Sequence, residues 1–136
     1  MSATFKKHER LCSQKTIEKL FTEGNPMFVH PFKVLYLHVK EQPFDLQVAI
    51  AVPKKKTKRA VKRNYIKRIF RENWRQEKHR LIETLKEHNS KMAVFIVYTG
   101  TYEKASFNEF RDKIILILTR LQQEVNTHSE SKKNEE

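Results

Sequence analysis

Residues 51–72 read AVPKKKTKRAVKRNYIKRIFRE. Three local signals lie in that string. The apolar run 46–52 ends at Pro53, which cannot donate to a strand ladder. Lys54–Arg59 is a basic loop without an acidic residue. From Ala60 onward Ile66, Ile69, Phe70 and Trp74 recur at helical spacing, and Leu81 and Leu85 continue the stripe. The pattern predicts one helix from about Ala60 to His88. Asn64, Lys67, Arg68, Arg71, Arg75 and Lys78 recur three and four residues apart on another side. Oil on one face and dense positive charge on another is therefore the local design.

Ten of the eighteen residues 54–71 are Lys or Arg, and none is Asp or Glu. Residues 53–80 carry a net +11, against +12 for all 136 residues. Like charges at that density repel one another, so the natural counterpart is a polyanion. Trp74 and Ile66 are needed for the core, which argues against lipid insertion of this helix. The helix follows a strand and a loop, with no helix-turn-helix, zinc-finger cysteines or heptad zipper, so structured or single-stranded RNA fits better than duplex DNA.

Upstream, FKVLYLHV (32–39) reads as a strand. Alternation puts Phe32, Val34, Tyr36 and His38 on one face, and Leu35 and Leu37 on the other. LQVAIAV (46–52) is a second strand, and the short gap around Gln42-Pro43 predicts a hairpin. TIEKLFTE (16–23) is a short helix with Ile17, Leu20 and Phe21 on one side, stopped by Gly24. A further short strand fits near residues 27–30. Downstream, KMAVFIVYT (91–99) is a third strong strand. Phe107, Phe110, Ile114, Ile117, Leu118, Leu121 and Val125 mark a long amphipathic helix. The polar residues 126–136 are expected as a disordered tail, leaving 1–125 as a single domain. The fold class is α+β, an α/β sandwich with a mostly antiparallel sheet and the order α-β-β-α-β-α.

Cys12, the single cysteine, permits no internal disulfide and reads as an incidental thiol. Residues 1–10 carry no apolar signal-peptide core, and no run approaches a membrane span. Together these predict a cytoplasmic protein. The six histidines are scattered, without a metal-ligand spacing, so neither a metal site nor a protein-borne catalytic residue is expected. Glu72 and Glu77 read as i+3 or i+4 salt-bridge partners of Arg68, Arg75 or Arg80.

The string 51–72 resembles the signature of the bacterial ribonuclease P protein component. The matching features are Pro53-Lys54-Lys55, Ala60-Val61, Arg63-Asn64, Lys67-Arg68 and Arg71-Glu72. The likeness extends through Arg10-Leu11, Phe21, the strands 32–37 and 93–99, and the final helix. Tyr65 departs from the pattern, standing where the third residue of an Arg-Asn-Arg triplet is usual. Lys56–Arg59 replaces a loop that often holds glycine.

The resemblance implies a left-handed strand–helix–strand crossover, against the usual preference. It implies a protein subunit that joins a large catalytic RNA, the partners being that RNA and precursor tRNA in a one-to-one complex with a monomeric protein. The 5′ leader would be removed by RNA-borne chemistry with Mg²⁺ held mainly by RNA. On the matched motif, Lys54, Lys55, Arg63, Asn64, Lys67, Arg68 and Arg71 would contact RNA. Charge and helix phase add Lys56, Lys58, Arg59, Lys62 and Arg75. Phe21 and Tyr36 match aromatic positions of a leader-binding cleft, with Ile17 where another aromatic is usual; core packing is an equal alternative for Phe21. A ribosomal or RNA-chaperone protein, binding RNA without a catalytic role, is the other reading, and a DNA-binding regulator is a third.

Overall fold

The computed structural model describes residues 9–11, 13–40, 42 and 44–135, with side chains placed as far as 128. Cys12 and Pro43 lie outside the described residues. The chain runs α1 (Gln14–Glu23), β1 (Asn25–Val29), β2 (Phe32–Val39), β3 (Leu46–Ala51), α2 (Ala60–Glu77), α3 (His79–Glu87), β4 (Lys91–Tyr98), a 3-10 turn (Tyr102–Lys104) and α4 (Phe107–Glu135). The sheet order is β1-β2-β4-β3. The first two pairings are antiparallel, and β3 runs parallel to β4. The α+β class and the mostly antiparallel sheet hold, and the optional strand is present as β1.

The expected β2–β3 hairpin is absent, because β4 lies between the two strands. The connection instead crosses the start of β4. Gln42 Nε2 donates to Met92 O (2.9 Å), Met92 N donates to Asp45 O (2.8 Å), and Lys91 Nζ donates to Gln42 O (3.2 Å). A central position suits β4, whose Met92, Ala93, Val94 and Ile96 are wholly buried. The hairpin that does form joins β1 to β2.

Helices α2, α3 and α4 cover one face of the sheet and α1 covers the other. Under the three helices, Phe32 meets the rings of Phe70, Tyr98 and Phe110 at 5.9, 5.5 and 5.0 Å. Trp74 and Ile66 are buried there as the stripe required. Beneath α1, Leu20 packs with Leu11 and Ala93. Gly24 ends α1 and lets β1 begin at once, since a Cβ there would lie 2.3 Å from Leu20 O.

The single helix expected over 60–88 is two helices, interrupted at Lys78. Leu81 N donates to Lys78 O (3.1 Å), an i→i+3 bond that tightens the turn. Lys78 is buried and its ammonium pairs with buried Glu9. A charged residue inside the helical run must be brought to its partner, which continuous stripe periodicity does not reveal. Beyond α3, Asn89 takes the left-handed conformation (φ 51°). Ser90 N reaches Leu85 O (2.8 Å) and Asn89 N reaches Lys86 O (3.1 Å), the bond pattern of a Schellman stop.

Helix α4 continues through residues 126–135, where a disordered tail was expected. Polar composition hid two tethers. The His88 ring bonds Asn126 Oδ1 (2.8 Å), and the His38 and His128 rings stack at 3.9 Å. No helix among the described residues is long and apolar enough to cross a membrane.

Candidate nucleic-acid interface

Lys54, Lys55 and Lys56 form an exposed turn after Pro53, and Lys58 and Arg59 lead into α2. The N-cap Arg59 makes no side-chain capping bond, and no acidic residue stands in the first turn. The free amides of that turn add to the positive field of the loop. Two long side chains hold the loop in shape. Lys56 Nζ donates to Thr99 O, tying the loop to the end of β4. Arg63 Nη1 donates to Thr57 O (3.0 Å) and Lys58 O (2.6 Å). Arg63 therefore spends part of its guanidinium on the loop rather than presenting all of it outward.

Along α2 the buried face is Ile66, Ile69, Phe70, Asn73 and Trp74. Helical phase places Asn64, Arg68, Arg71 and Arg75 roughly opposite. Asn64, Arg68 and Arg71 are exposed, while Lys67 and Arg75 are half-buried. Arg75 is paired with Glu72 at 3.0 Å, which offsets its charge. Glu77 reaches Arg111 of α4 (3.7 Å) and not a neighbour on its own helix. Although Arg71 is exposed as a residue, partial desolvation of its guanidinium, reinforced by the charge of Arg10, holds it below its ordinary range. Arg10, bridged to β3 at Val48, is thus a cation that the fold adds to this surface from a distant part of the chain. Lys62 leaves the stripe and lies over the Tyr102 ring at 4.8 Å.

The expected leader cleft divides. Ile17 and Phe21 lie on the α1 face. Tyr36 lies on the opposite face, buried in the core under the three helices. Burial, reinforced by the negative charge of Glu124 on α4, pushes its hydroxyl up to about 12. Tyr36 is therefore a core residue and shares no cleft with Phe21. The β2 residues that do face α1 are its neighbours Lys33 and Leu35, because successive strand side chains alternate.

On the α1 face the register lines up a continuous floor. Pro26 and Phe28 of β1 stand opposite Leu35 and Lys33, which stand opposite Phe95 and Val97 of β4. Phe21 forms the wall, its ring 5.2 Å from Phe95 in edge contact and 61% exposed. The resulting cavity is about 680 Å³, open and mainly apolar, with Lys33 in its lining. Phe28 is also largely exposed. Ile17 packs lower, half-buried against the same layer. Exposed aromatic faces beside a cation suit unpaired bases and their phosphates. Among the described residues, no group of three or more His, Cys, Asp or Glu gathers that could hold a metal ion.

The family model described as ribonuclease P matches residues 5–122, which include the basic loop, α2 and every residue of this floor. The chain belongs to the ribonuclease P protein family. A ribonuclease P protein component from Porphyromonas gingivalis is 40% identical over 88 residues, covering 62% of this chain and 64% of that protein. The match thus spans just under two thirds of that relative's length. One from Chlorobium phaeobacteroides is 31% identical over 121 residues, 82% of this chain and 83% of the relative. The fold is shared with the RNase P protein of Staphylococcus aureus (TM-score 0.62, 20% identity, 85% of this chain and 98% of that one). It is shared also with that of Thermotoga maritima (TM-score 0.63, 23% identity, 82% and 96%).

Of the ribonuclease P signature residues, Lys54, Lys55, Asn64, Arg68 and Arg71 are exposed on the loop and the outer face of α2, whereas Arg63 turns to the loop and Lys67 is half-buried. The aromatic positions do not share one surface. Lys33, Leu35, Phe28 and Phe95 were not assigned to a site from sequence, and Arg10 entered there only through the family likeness. Alternation did place Leu35 opposite Tyr36, but nothing local says which face α1 covers.

Proposed function

We propose that this chain is the protein subunit of a ribonuclease P, a cytoplasmic protein that joins one catalytic RNA and assists removal of the 5′ leader from precursor tRNA. The observation that carries this reading is the separation of two surfaces of different chemistry. The loop and α2 present Lys54, Lys55, Asn64, Arg68 and Arg71 outward, backed by a rigid core, which suits the closely spaced phosphates of a folded RNA. The α1 face presents Phe21, Phe28 and Phe95 beside Lys33, which suits a short unpaired strand. A protein that only binds one RNA has no need of the second surface.

The reaction is hydrolysis of one phosphodiester, leaving a 5′-phosphate on the tRNA and a 3′-hydroxyl on the leader. Mg²⁺ is assigned to phosphate oxygens of the RNA, which suit a hard cation that keeps its waters. The protein's part is positional: α2 fixes it on the catalytic RNA, and the aromatic floor holds the leader in line with the bond to be cut.

The test is reconstitution at low Mg²⁺ with ribonuclease P RNA and precursor tRNA. Added protein should accelerate cleavage over RNA alone. Tight RNA binding without acceleration would instead favour the ribosomal or chaperone reading.

A further inference from the structure

Tyr65 occupies the position where the signature usually has a third basic residue, and it does not join the core. It lies about 100° around α2 from Ile66 and is 40% exposed. Its ring meets Tyr102 at 5.5 Å and 62°, an edge contact. Tyr102 is packed against the main core from the 3-10 turn, and Lys62 Nζ lies 4.8 Å from its ring centroid. One turn before Tyr65 stands Val61, 79% exposed. One turn after it stands exposed Arg68. The next carboxylate along the helix, Glu72, is paired with Arg75. An anchored aromatic pair thus stands at the margin of a strongly cationic stripe.

We infer that Tyr65, braced by Tyr102, whose own ring Lys62 covers, is a stacking platform for an unpaired nucleobase of the catalytic RNA. This rests on the reading of α2 as the RNA-docking helix. The physical grounds are three. The brace fixes the Tyr65 ring before binding, so little side-chain entropy is lost on contact. The surrounding charge selects an anionic polymer over an apolar protein surface. Arg68, one turn away, is placed to meet the phosphate of the nucleotide whose base lies on the ring. At this position the chain exchanges a salt-sensitive guanidinium contact for a stacking contact that salt scarcely weakens.

The experiment measures binding of ribonuclease P RNA across a salt series for the full-length protein and the variants Tyr65→Phe, Tyr65→Leu, Tyr65→Ala and Tyr65→Arg. Loss of one stacked base weakens binding by about 5- to 150-fold. Tyr65→Ala and Tyr65→Leu should show that loss with the salt slope unchanged. Tyr65→Phe should bind like the parent. Tyr65→Arg should recover affinity while steepening the slope by about 0.7 to 0.9. Binding of Tyr65→Leu equal to the parent would mean an apolar contact and overturn the inference. So would a Tyr65→Ala protein that melts lower yet binds RNA as before, since the tyrosine pair would then only clasp the 3-10 turn to α2. Arg68→Ala, run alongside, separates the levels: if it too leaves binding intact, the docking reading of α2 has failed, and not the platform alone.

Discussion

Replacing Phe21 by alanine separates the proposed leader surface from the core. Phe21 is 61% exposed, so folding hides only about 40% of it. Full burial of a Phe side chain is worth about 1.5–3 kcal/mol, and the folded state realises about 0.6–1.2 of that. The edge contact with Phe95 adds up to about 1 kcal/mol. Phe21→Ala should therefore cost about 1–2 kcal/mol of stability and leave the protein folded. Stacking of one base on the exposed ring is worth about 1–3 kcal/mol, or about 5- to 150-fold in affinity. The assay is equilibrium binding of the assembled protein–RNA complex to precursor tRNA and to mature tRNA, which lacks the leader. Phe21→Ala should weaken the first and spare the second. Tyr36→Phe is the matched control: it removes a buried hydroxyl beside Glu124, lowers stability by about 1 kcal/mol, and should leave both RNAs unaffected. Equal losses on the two RNAs from Phe21→Ala, or a leader-specific loss from Tyr36→Phe, would refute the assignment of the cleft to the α1 face.

Lys78→Met strips Glu9 of its buried ammonium and should cost about 3–5 kcal/mol, seen as a fall of roughly 10 °C or more in melting temperature; adding Glu9→Leu should recover most of it. Tyr36 is raised in the fold to about 12 from an ordinary value near 10. Its contribution is therefore complete below about pH 10 and fades as pH climbs through about 12, so the melting-temperature gap between parent and Tyr36→Phe should close across that window. If α2 and its loop neutralise about five phosphates, log K for the catalytic RNA against log salt should slope at about −3.5 to −4.5, and a flat dependence in filter binding would contradict phosphate-led docking.

Helix α2 was the most legible part of the molecule. The spacing of Ile66, Ile69, Phe70 and Trp74 fixes which side of α2 is buried, and the intervening cations must then face out. Both follow from a 3.6-residue period within one segment. The strands were legible for the same reason, as was the alternation that separates Leu35 from Tyr36. Misassignment began where two segments had to be related. Tyr36 was placed in the cleft because it matches an aromatic position of the family pattern, whereas its face of the sheet belongs to α4 and Glu124. The break at Lys78 was invisible because Glu9, its partner, is 69 residues away.

Taken alone, the string 51–72 determines a strand end, a basic loop and an amphipathic helix, and with them a dense positive surface. Charge density and helical phase are local properties, and local properties survive without a fold. Tertiary structure alone decided that β4 separates β2 from β3, that Arg10 joins the basic surface, and that Phe21 looks onto Phe95 and Leu35 instead of Tyr36. Each of those depends on which face an element turns toward a distant neighbour. Burial of all the apolar stripes together settles that choice, and no single stripe encodes it.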